Sequence, residues 1–66
     1  MRKKKFVPTE EEENMSLMEV REIIEEMEDK VIDKRTKEYR QWVSDINRLF
    51  ELYNHKIGWR AYRPIQ

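Results

Sequence analysis

Sixty-six residues, no cysteine, one histidine and fourteen acids balanced by fourteen lysines and arginines exclude much at the outset. A core of this size supplies no more than about 3–5 kcal/mol, and neither disulfides nor a thiolate or multi-histidine metal site can reinforce it. Charged residues at 42% and hydrophobic ones at 38% would suit a disordered chain, but the apolar positions are strongly patterned, which argues for folding with help from self-association or a partner.

The neutral charge hides a division along the chain. Arg2, Lys3, Lys4 and Lys5 open it, and "VPTEEEEN" follows them instead of an apolar run, so the start does not read as a secretory leader and the expected location is cytoplasmic. Residues 10–29 then carry ten acids against Arg21 alone, while residues 30–66 carry nine basic groups against four acids. Such a dipolar chain pairs its own halves or offers each half to a partner of opposite sign.

Between Pro8 and Gly58 there is neither proline nor glycine, so helix is the default. "SLME" places Ser16 three residues before Glu19, the spacing of a capping box in which each side chain satisfies the other's free backbone N–H. "TEEE", from Thr9 to Glu12, is an earlier candidate start. Leu17, Val20, Ile24, Met27 and Val31 fall within an arc of about 80°, with Glu19, Glu22, Glu26 and Asp29 opposite.

The pattern pauses at "DKRTKE", Asp33 to Glu38, where Thr36 can cap a new helix. Tyr39, Trp42, Val43, Ile46, Leu49, Phe50, Tyr53 and Ile57 then share an arc of roughly 120°. His55 and Lys56 suit the negative end of that helix, and Gly58 suits the left-handed residue beyond it.

The expected fold is therefore all-α: a two-helix antiparallel hairpin, about 9 or 16 to 33 and 36 to 57, with short extended termini. It makes a single small domain over 1–66, with a charged tail at 1–15, the hairpin at 16–57 and an aromatic–arginine segment at 58–66. The alternative is one long helix in a coiled coil. The hairpin is favoured because the stripe changes frame between Val31 and Tyr39, and because it lays the acidic helix beside the more basic one. The wider, aromatic second stripe exceeds what one narrow helix covers, which predicts a dimeric four-helix bundle or packing on a protein partner.

Chemistry is sparsely signalled. His55 falls on the polar face, where a helix C-terminus favours an exposed imidazole more readily than a proton carrier. The carboxylates form a solvated face with no cleft to separate their pKa values. One glycine cannot build a phosphate loop, and no serine has a triad context. The expectation is a non-enzymatic protein with no cofactor, metal, membrane span or small-molecule substrate. It would be a small regulator or inhibitor that occupies a partner's surface.

Trp42, Phe50, Tyr53, Trp59, Arg60, Tyr62 and Arg63 are the partner-binding candidates, being the residue types enriched at binding hot spots. The alternative is nucleic-acid binding through Arg2, Lys3, Lys4, Lys5, Lys34, Arg35, Lys37 and Arg40, with the terminal arginines and aromatics assisting. Zero net charge and the acidic first helix count against it. A variant of the protein-binding reading sets that acidic helix against a basic surface. The closing stretch "HKIGWRAYRPIQ" has two readings: a lid, in which Trp59 packs near Tyr53 and Tyr62 covers the bundle end, or an outward docking segment.

Overall fold

A computed structural model describes residues 6–65, in three helices: α1 (Glu10–Asn14), α2 (Leu17–Glu28) and α3 (Lys37–Ile57). No strand occurs among the described residues, and no described helix is long and apolar enough to cross a membrane. The basic group at 2–5 lies outside the described residues.

Both candidate starts are used. Thr9 and Glu12 form one capping box and Ser16 and Glu19 a second, so the expected tail at 1–15 contains a helix of its own. Each box satisfies two otherwise orphaned donors. Between them Met15 is extended, with φ −72° and ψ 137°, so α1 and α2 are separate rather than one frayed helix.

α2 ends at Glu28, five residues short of the expected boundary at 33. Its last turn has no basic residue, so Glu25, Glu26 and Glu28 crowd the negative end of the helix dipole. The β-branched pair Val31 and Ile32 gives little help in extending it. The indole of Trp42 instead donates to the Met27 carbonyl at 2.8 Å, an oxygen that also accepts from Lys30 N at 3.2 Å, and so ties the end of α2 to α3. Val31, expected in the packing seam, is fully exposed because the helix that would have aimed it inward has stopped.

The turn that follows is organised by Asp33. Its carboxylate accepts from Arg35 N at 2.9 Å, and its carbonyl accepts from Thr36 N and Oγ1 at 3.1 and 2.8 Å. Thr36 then caps α3 by accepting from Tyr39 N. The break between Asp29 and Thr36 excludes one continuous helix, and α2 packs on α3.

Val20, Ile24, Ile46, Phe50 and Leu52 form the buried core. The first four belong to the expected stripes; Leu52 does not, yet it is only 1% exposed. Arg48, Leu52 and Lys56 stand four residues apart on one face of α3, and the first and last of them hold the N-terminal segment. Arg48 bonds Glu12 and Val7 O, while Lys56 Nζ donates to Glu13 O at 3.2 Å. Phe6 and Met15 pack on the core from that segment. α3 is thus covered by α2 on one side and by residues 6–15 on another.

A third side of α3 carries the segment after Gly58. That residue has φ 83° and its N–H donates to Asn54 O, ending the helix and turning the chain. The returning segment is held by Asn54 and Asn47, and Tyr62 and Ile65 pack against the core.

Candidate functional site

An open groove of about 520 Å³ lies where the N-terminal segment, the end of α3 and the returning segment converge. Phe6, Glu51, His55, Trp59, Arg60 and Tyr62 are among its lining residues. Glu51 and His55 come from successive turns of α3, and the His55 ring stands 5.6 Å from that of Phe6. Arg48 lies 4.9 Å over the Phe6 ring and so fixes that wall.

The aromatic–arginine cluster divides between the two readings. Tyr62 turns inward, stacked on Phe50 at 4.8 Å and edge-on to Tyr53 at 5.1 Å. Burial pushes its phenol above the usual range, with Tyr53 and Glu28 adding to the shift. Trp59 turns outward. It is 67% exposed rather than folded onto Tyr53, so Tyr62 and Ile65 form the lid. Arg60 and Arg63 are exposed beside it.

The remaining partner candidates sit deeper. Phe50 is 4% exposed, Tyr53 is half-buried against Tyr62, and Trp42 is half-buried with its N–H committed to α2. The groove therefore gathers Trp59, Arg60 and Tyr62 but neither Trp42 nor Phe50. An apolar side chain entering it meets Trp59 and Phe6, while Glu51 and Arg60 offer charges of both signs. Among the described residues, no cluster of three histidines, cysteines or acids is placed to hold a metal ion.

Lys34, Arg35, Lys37 and Arg40 are all exposed around the Asp33 turn, away from this groove. Among the described residues the ion pairs are Arg21–Glu25 at 3.5 Å and Arg48–Glu12 at 2.7 Å, and neither involves these four.

Two asparagines escaped the sequence reading. Asn54 Oδ1 accepts from Ala61 N and Tyr62 N at 2.8 and 3.0 Å, and its Nδ2 donates to Tyr62 O at 2.9 Å. Asn47 Oδ1 accepts from Ile65 N at 2.7 Å, and its Nδ2 donates to Ile65 O at 2.8 Å. A usable signal existed. Asparagine is a poor helix former, and two of them seven residues apart share one helix face.

In comparisons with known proteins, the chain shows no significant match to any family, curated protein or solved structure.

Proposed function

We propose that this chain is a non-enzymatic protein-interaction module, a small regulator or inhibitor that docks on a partner protein through the groove at Trp59. The observation that carries the reading is the contrast within one short segment. Tyr62 and Ile65 are clamped to α3 while Trp59 stands 67% exposed between them and the helix end. A large side chain held out by an anchored backbone loses little further freedom on binding, which is what a hot-spot residue requires. Self-association, as two α2–α3 hairpins in a bundle, belongs to the same reading.

Trp59→Ala tests it. Binding of the partner captured by the intact chain is expected to weaken roughly 30-fold or more, as for a central tryptophan at an interface. Thermal stability should stay within a degree or two. Undiminished capture by the variant overturns the reading.

The exposed basic cluster at Lys34, Arg35, Lys37 and Arg40 favours a second reading, nucleic-acid binding by the Asp33 turn. It predicts retention on DNA or RNA that falls steeply with salt. No retention at low salt removes it.

A further inference from the structure

The clasp formed by Asn47 and Asn54 reads peptide backbone rather than side chains. Each amide takes both the N–H and the C=O of one residue, Ile65 and Tyr62 respectively, and Asn54 takes the Ala61 N–H as well. The spacings agree. Seven residues of helix advance about 10.5 Å, and three residues of extended chain advance roughly 10 Å. A face of α3 is therefore ruled to the repeat of an extended segment with contact residues three apart. Side-chain selection is added by the Tyr62 ring, which lies between Phe50 and Tyr53, and by Ile65 on the core.

Nothing in these contacts depends on the segment belonging to the same molecule. The sequence known to fit the clasp is this chain's own "AYRPI", and a second copy carries it too. The tether, Gly58 to Arg60, is exposed throughout. One torsion directs it back: Gly58 at φ 83°, the left-handed region that other residues enter at a cost. Space does not impose the glycine, because a Cβ there would meet no atom within 4 Å.

We propose that residues 61–65 exchange between two copies of this chain, the segment of each lying across Asn47 and Asn54 of the other. Exchange keeps every clasp contact and changes only the tether, which makes it a low-cost route to a dimer. Gly58 sets the balance: in the left-handed conformation it closes the segment on its own α3, and out of it the segment reaches a neighbour. The proposal rests on self-association but not on docking through Trp59.

The experiment uses the full chain, half of it isotope-labelled, mixed and refolded, with sedimentation measured alongside. Contacts between Tyr62 of labelled and Phe50 of unlabelled copies are expected in the dimer. Gly58→Ala should strengthen dimerisation on the order of 30-fold or more, since each of two hinges gains roughly 5- to 30-fold. Gly58→Asn, which tolerates the left-handed conformation, should stay near the parent. A dimer without intermolecular Tyr62–Phe50 contacts overturns exchange and leaves an ordinary bundle. A monomer at every concentration, for parent and Gly58→Ala alike, overturns both exchange and self-association. If Gly58→Ala fails to fold, the labelled parent decides alone.

Discussion

Arg48 and Glu12, thirty-six positions apart, form a doubly bonded pair: Nε donates to one carboxylate oxygen at 2.8 Å and a terminal nitrogen to the other at 2.7 Å. The same guanidinium reaches Val7 O and lies over the Phe6 ring. One side chain of α3 thereby organises the whole N-terminal segment. Fork-to-fork geometry of this kind fixes direction as well as distance.

The pair makes docking of that segment pH-dependent. The Arg48 hydrogen bond, aided by those from Thr9, holds the Glu12 carboxyl at about 2 instead of 4.5. A lowered folded-state pKa means stability that is fully present above about 4.5 and is lost as pH falls through about 2. Unfolding midpoints measured from pH 6 down to 2 should show the parent's advantage over Glu12→Gln shrinking across that window. A constant difference would contradict the assignment.

Asn54→Ala removes three bonds to the returning segment. At roughly 0.5–1.5 kcal/mol net each, the expected loss is about 2–3 kcal/mol in denaturant unfolding, with faster amide exchange at Tyr62. Asn54→Asp keeps the acceptor for Ala61 and Tyr62 but loses the donor to Tyr62 O, so it should fall between the two. Equal stability for all three would mean the segment is held by its apolar contacts alone.

Leu52 and Val31 should reverse the order that helical periodicity assigns them. Leu52→Ala empties a site only 1% exposed and should cost about 2–4 kcal/mol. Val31→Ser touches a fully exposed residue and should stay within about 0.5 kcal/mol. Chemical denaturation of both variants checks the pair.

These two residues also show where sequence was informative and where it was not. Ser16, Thr36 and Gly58 announced their helix ends, because a cap depends on a few neighbouring residues and can be read locally. Val20, Ile24, Ile46 and Phe50 followed from periodicity, because they lie on the stripes along which α2 and α3 pack. Leu52 lies outside that stripe and is covered on a side where residues distant in sequence return. Asn47 and Asn54 went unread for a related reason: their spacing on α3 was visible, but the backbone atoms they hold carry no sequence signature. Of the candidate site, Trp59, Arg60 and Tyr62 were legible by residue type. Which of them turns inward is set by the clasp and was not.

Because α3 is wrapped by segments from both directions of the chain, its durability is graded from the middle outward. Around Ile46 and Phe50 the backbone is released to solvent only when α2 departs as well, an apolar loss equivalent to unfolding the molecule. The two wrapping segments are attached by Arg48, Lys56, Asn47 and Asn54 together with Phe6, Met15, Tyr62 and Ile65, and can peel off separately, each below that free energy. The molecule is thus a durable axle with two detachable sleeves, and the sleeves meet at the rim that bears Trp59.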